Sequence, residues 1–167
     1  APANMRNDTS AFSVLAPQVP VTPVVIAVPH AGRDYPPDVL ALARVSRGQL
    51  ERLEDRHCDQ FAAPLARAGH SVIVAHVARA LIDLNRGEDE WCSETVAAAG
   101  SITPNVRMRA GLGLFPHRLP GAGLLWRRRL TPAEVAHRLA SVHRPYHHRL
   151  AELLAATRGR FGQCVFI

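Results

Sequence analysis

The stretch VVIAVPHAGRDYP, from Val24 to Pro36, settles the fold class. Val24, Val25, Ile26, Ala27 and Val28 form a short, β-branched-rich run bounded by Pro23 and Pro29. A continuous apolar run of that length reads as a strand buried on both faces, as in α/β sheets. Ligands of such sheets sit beyond the carboxyl ends of the strands, which is where His30 falls. A histidine there, with Gly32 permitting close backbone approach, suits a metal ligand or a general base, and equally a turn residue without chemistry.

Downstream, Leu50, Leu53, His57, Phe61 and Leu65 recur at helical spacing until Gly69, with a break expected near Ala63 because of Pro64. His70–Ala78 reads as a second strand. Leu81, Ile82 and Leu84 in RALIDLNR suggest a third, short one ending at Asn85. From Gly87 to Arg129 there is little periodicity, and a loop of that length in a compact domain is functional or mobile. Thr131, Pro132 and Glu134 spell a helix start, and Val135, Leu139, Val142, Tyr146, Leu150 and Leu153 make its apolar stripe. Pro145 should kink or divide that helix. QCVFI then opens a further strand, read as an interior one. The expected organisation is an N-terminal tail over residues 1–22 and one α/β domain over 23–167. Its sheet is mostly parallel or mixed and is flanked by helices.

Composition narrows the function. The 167 residues carry a formal charge of +6, and every basic residue is arginine. Arginine's planar fork suits carboxylates and phosphates. Aromatic residues make up only 5% of the chain, and no nucleic-acid motif accompanies Arg127, Arg128 and Arg129. An anionic small molecule is the better partner than a nucleic acid. No apolar run reaches the roughly 20 residues that cross a bilayer, and no basic-then-apolar leader precedes the domain, so cytoplasmic localisation is the default. Cys58, Cys92 and Cys164 are odd in number and widely spaced, which argues against a disulfide framework, although Cys58 lies beside Asp59. Nothing here bears on oligomeric state.

Four clusters carry candidate chemistry. His30 is the first. In EDRHCDQ, residues Asp55, His57 and Asp59 are two apart, so they diverge on a helix and share a side only on an extended or irregular segment. One carboxylate from here can join His30, while Glu54 and Asp55 read better as a solvated face. In RALIDLNR, Asn85 and Arg86 can orient a carbonyl and bind a carboxylate, and Asp83 is as well explained by a strand-end salt bridge. In HRPYHHRL, His143 and His147 are four apart and can share a helix face. Elbow, phosphate-loop and dinucleotide motifs are missing from the sequence.

Taken in order, VPHAGRDYP, EDRHCDQF, ARALIDLNR, GLGLFP and HRPYHHRL resemble the N-formylglutamate amidohydrolase family over about Val24 to Ile167. The resemblance implies a zinc-exopeptidase-like fold and zinc-assisted hydrolysis of N-formyl-L-glutamate to formate and glutamate, a step of histidine breakdown. It implies His30 and Asp59 as zinc ligands, Asn85 and Arg86 as substrate-binding residues, and Arg79 as a partner for the second carboxylate. His57 and His147 are possible site residues. The family's third zinc ligand and general base fall in segments after a strand like QCVFI, so the domain is expected to be incomplete at Ile167. Alternatives are a related acyl-amino-acid amidohydrolase or an inactive anion-binding module.

Overall fold

A computed structural model describes residues 4–8, 11–97 and 103–167. Its centre is a five-stranded mixed sheet in the order β1 (Asn4–Asp8), β2 (Phe12–Pro17), β4 (Ser71–Ala75), β3 (Val24–Val28), β7 (Val165–Phe166). Strand β3 runs parallel to both β4 and β7, while β2 is antiparallel to β1 and β4. The central β4, read from its unbroken SVIVA run, is buried along its whole length. Val72 and Val74 pack with Ala62 and Ala66 of α3 (Ala62–Arg67). Ile73 and Ala75 face the other way, toward Tyr146, Leu150 and Leu153 of α6 (Arg144–Phe161). Helices on both faces account for a strand that needs no polar side.

Four expectations need correction. Residues 4–8 and 12–17, within the expected tail, are not a tail, because β1 and β2 pair antiparallel on the sheet margin. The period-two pattern Phe12, Val14, Ala16, all buried, is the signal that places β2. RALIDLNR is not a strand either. Leu81, Ile82, Asp83 and Leu84 are all buried along successive turns, and the Asp83 amide donates to the Leu114 carbonyl at 2.7 Å. The segment from Gly87 to Arg129, apart from residues 98–102, which lie outside the described residues, is packed rather than loose. It holds α4 (Val106–Arg109) and the small β5–β6 hairpin (Arg118–Leu119, Gly123–Leu124), and it gives Leu114, Phe115, Leu119 and Leu125 to the core. Finally, QCVFI does supply a strand, β7, which pairs with β3, but it stands at the edge of the described sheet and not inside it, with Val165, Phe166 and Ile167 exposed.

Two helical details follow from single residues. The expected helix around Leu50–Leu65 breaks earlier than Pro64 suggested: α2 (Arg47–Leu50) gives way at Glu54, which is extended, and His57 takes a left-handed conformation at φ 69°. Between α5 (Pro132–Arg138) and α6, residues Leu139–His143 widen into a π turn. Pro145 has no N–H to donate back to residue 141, and the wider turn absorbs that missing bond without ending the helix. The capping box at Thr131 and Glu134 is formed as read.

Candidate functional site

His30 leaves the end of β3 through Pro29 and turns inward, 7% exposed. Gly32 makes this turn possible. A Cβ on it would stand 2.1 Å from the Val77 carbonyl oxygen, so the β3 turn lies directly against the chain leaving β4. His30 Nε2 donates to Asp83 Oδ1 at 2.7 Å. Asp83 is fully buried, and it also accepts from Arg79 Nε and from the Asn85 backbone N–H, each at 2.9 Å. Arg86 Nε stands 3.8 Å from its other side. Burial alone would raise the Asp83 pKa, yet the bond and charge of His30, the Arg79 guanidinium and the Asn85 N–H outweigh it and hold the group below the usual carboxylate range. Asp83 is therefore a buried anion that fixes the imidazole's orientation.

With Nε2 committed to Asp83, Nδ1 is the ring's remaining nitrogen. That atom faces Asp55 Oδ2 at 3.3 Å, and the Asp55 backbone N–H donates to the His30 carbonyl at 2.9 Å, locking the two segments together. The imidazole nitrogen and the carboxylate oxygen meet through a proton, or through a cation held between them, and both are donor types that zinc takes. Asp55 is 58% exposed on its side chain, which leaves that side open to solvent.

The acidic segment is thus divided differently from the expectation. The carboxylate that meets His30 is Asp55, and Asp59 is held by the Arg33 guanidinium and lines a separate cavity with Gly32, Asp34 and His76. The reason is the chain break at Glu54–His57, which turns Asp55 toward His30 and starts a new short helical turn at Cys58–Phe61. Glu54 is occupied by the Tyr35 hydroxyl at 2.5 Å and by Arg56 Nε at 2.7 Å. His57 is exposed beside Gln60 and does not join the site. Among the described residues, no group of three or more His, Cys, Asp or Glu side chains is arranged around one metal position.

A cavity of about 440 Å³ starts at Pro29, the residue before His30, and runs past Leu84, Asn85 and Arg86 to His143, Tyr146, His147 and Phe166. Arg86 is tethered by Nε to the Leu112 carbonyl at 3.2 Å and by Nη1 to the Asn85 carbonyl at 3.0 Å. Its Nη2 is buried without a hydrogen-bond partner among the described residues. Asp83 carries one negative charge and faces two arginines, so the Arg86 charge is only partly compensated. Asn85 and Arg86 therefore line this cavity, whereas Arg79 spends its Nε on Asp83. The sequence reading undervalued two residues. Asp83 is signalled by its spacing before Asn85 and Arg86, and Asp55 only by a break in helix pattern that residue types alone do not locate.

The model of the N-formylglutamate amidohydrolase family matches residues 22–167. N-formylglutamate deformylase of Pseudomonas aeruginosa is 30% identical over 143 residues, 84% of this chain and 48% of that protein. The Pseudomonas putida deformylase is 30% identical over 142 residues, with the same shares. The chain spans about half the length of these curated relatives. The crystal structure of N-formylglutamate amidohydrolase from Ralstonia eutropha JMP134 superposes with a TM-score of 0.85 at 30% identity, covering 95% of this chain and 56% of that one. A gene product of Agrobacterium tumefaciens at 18% identity and TM-score 0.62 shares the fold.

Proposed function

This chain belongs to the N-formylglutamate amidohydrolase family, and on that premise we propose that it serves metal-assisted hydrolysis of the formyl amide of N-formyl-L-glutamate. The products are formate and L-glutamate, and the reaction is a step of histidine breakdown. The observation that carries the reading is the position of His30, with one ring nitrogen donated to buried Asp83 and the other turned to Asp55.

His30 through Nδ1 and Asp55 through a carboxylate oxygen are the residues of this chain that would hold a zinc ion. A histidine ligand whose far nitrogen donates to a carboxylate has its tautomer fixed and its basicity raised, which is the work of Asp83 and, behind it, Arg79. When bound, the ion supplies Lewis-acid polarisation of the formyl oxygen and a water of lowered pKa. Arg86 and Asn85 anchor the carboxylate nearest the formyl amide, because Arg86 has an uncommitted buried donor and Asn85 stands at the cavity mouth. Water oxygen adds to the formyl carbon, the C–N bond breaks, and the amine leaves with a proton. Holding the substrate by its fixed carboxylate places the small formyl group at His30.

The test is formate release from N-formyl-L-glutamate by the full-length encoded protein with zinc present. The expected result is release that is lost in His30→Ala and Asp55→Asn and kept in Asp59→Asn. Release that survives His30→Ala would overturn the proposal.

A further inference from the structure

The cavity that starts at Pro29 has an inner wall that the anchoring of one carboxylate leaves unused. His143 and His147, one turn apart on the helix, stack with ring centroids 4.2 Å apart, and Tyr146 lies edge-on to His147. Tyr146 is 1% exposed. Its Oη and His147 Nε2 are buried without a hydrogen-bond partner among the described residues, and His143 Nδ1, also without one, stands 3.8 Å from the Glu88 carboxylate. Buried polar atoms are paired in the great majority of cases, so unpartnered atoms on residues that line one cavity mark a place that a polar ligand completes. The remaining wall, Ala27, Pro29, Leu84, Leu150 and Phe166, is apolar. An alkyl chain ending in a polar group fits that division.

We propose that this inner wall receives the distal, side-chain carboxylate of the substrate, and that His147 is the residue that selects it. The inference rests on the family reading above, and it names which end of a dicarboxylate goes where. The Leu84 carbonyl lies by the His147 ring and favours its charged form, and Nε2 is the nitrogen buried without a hydrogen-bond partner. The His143 ring is pinned, Nε2 donating to the Arg86 carbonyl at 2.8 Å.

A carboxylate only accepts hydrogen bonds, and the imidazolium, a donor at both nitrogens, answers its charge as the neutral ring does not. Burial and the neighbouring His143 hold the His147 pKa below the ordinary histidine value, while the Leu84 carbonyl and Glu88 pull the other way. The charged groups that face it are few. His143 and Arg144 come from its own helix and Arg86 and Glu88 from the turns opposite, while Ala27, Pro29 and Phe166 supply none from the strand ends. Glu88 is clasped by Arg144 at 2.9 Å, so its charge is largely answered before it reaches the cavity. Binding of a dicarboxylate therefore takes up a proton on His147, and a side-chain amide in place of the carboxylate does not.

The experiment is calorimetric titration of the chain, without added metal so that turnover does not intrude, with N-formyl-L-glutamate and with N-formyl-L-glutamine. Each is run in buffers of low and high ionisation enthalpy, and again at rising pH. A hydrogen bond to a charged group sets the expected preference for the glutamate at about tenfold or more. That preference should come with proton uptake and should fade as pH rises. In His147→Asn nothing occupies the Nε2 position. The preference and the proton uptake should then vanish while affinity for the glutamine compound is kept. Tyr146→Phe, which keeps the ring packed on Phe12, should reduce the preference without removing the proton uptake. Preference and uptake that persist in His147→Asn overturn the proposal and leave the family reading standing. No binding of either compound by the unaltered chain overturns both. Arg86→Ala separates them further, since it should weaken both compounds alike.

Discussion

Replacing Asp83 by Asn removes one negative charge from the best-connected buried position in the site. The side chain is fully buried and receives His30 at 2.7 Å and Arg79 and the Asn85 N–H at 2.9 Å each. Asparagine matches the shape, but its amide nitrogen turns a donor toward His30 or Arg79, and the Arg79 guanidinium loses its anion. Removing one member of a buried pair costs about 3–5 kcal/mol. That is a large part of the roughly 5–15 kcal/mol that holds a domain folded. With a urea dependence of about 1–3 kcal/mol per molar, the midpoint should fall by about 1–5 M near neutral pH. The pH dependence has a definite sign. The folded pKa of Asp83 lies below its unfolded value, so its contribution is present above the unfolded value of about 3.9 and is lost as pH falls through the folded one. The gap between the two proteins should therefore be full near neutral pH and close in acid. A loss under about 1 kcal/mol near neutral pH, or a gap that widens in acid, would refute the reasoning, because it would mean the charge does little for its neighbours.

Gly32→Ala should destabilise by about 1–3 kcal/mol in thermal or urea unfolding, since its Cβ would meet the Val77 carbonyl at 2.1 Å and the backbone must shift. Thr131→Ala should cost about 1 kcal/mol, because it removes the oxygen that accepts the Glu134 amide at 3.2 Å, and Thr131→Asn should recover most of it. Ile73→Ala, at a fully buried position of β4, should cost about 2–5 kcal/mol. Arg86→Ala should lower the affinity for a formyl-amino acid by about tenfold or more in calorimetry, the loss expected for a hydrogen bond between charged groups.

How far the sequence could be read depended on whether local pattern or distant partners decided the outcome. The Val24–Val28 strand, the Ser71–Ala75 strand within its longer reading and the Thr131 capping box rest on residues within one window, and each stands in the structure. The short apolar run Leu81–Leu84 has the composition of a strand. Its backbone is taken instead by turns and by the Leu114 carbonyl more than thirty residues on, a partner that no local pattern discloses. The N-terminal strand pair was legible in the alternation of Phe12, Val14 and Ala16 but was overshadowed by the polar residues before it. Within the site, His30, Asn85 and Arg86 could be read because each sits at the end of an apolar run. Choosing between Asp55 and Asp59 required knowing where the chain turns left-handed at His57, and that turn is set by packing and not by a glycine.

The central claim is that His30 and Asp55, and not Asp59, make up this chain's share of a metal site. It is tested most directly by zinc titration of the chain at millimolar concentration, followed through the NMR resonances of the His30 ring. The account predicts that zinc shifts the His30 ring signals in the unaltered chain and in Asp59→Asn, and that the shift disappears in Asp55→Asn. A shift that survives Asp55→Asn and is lost in Asp59→Asn would contradict it.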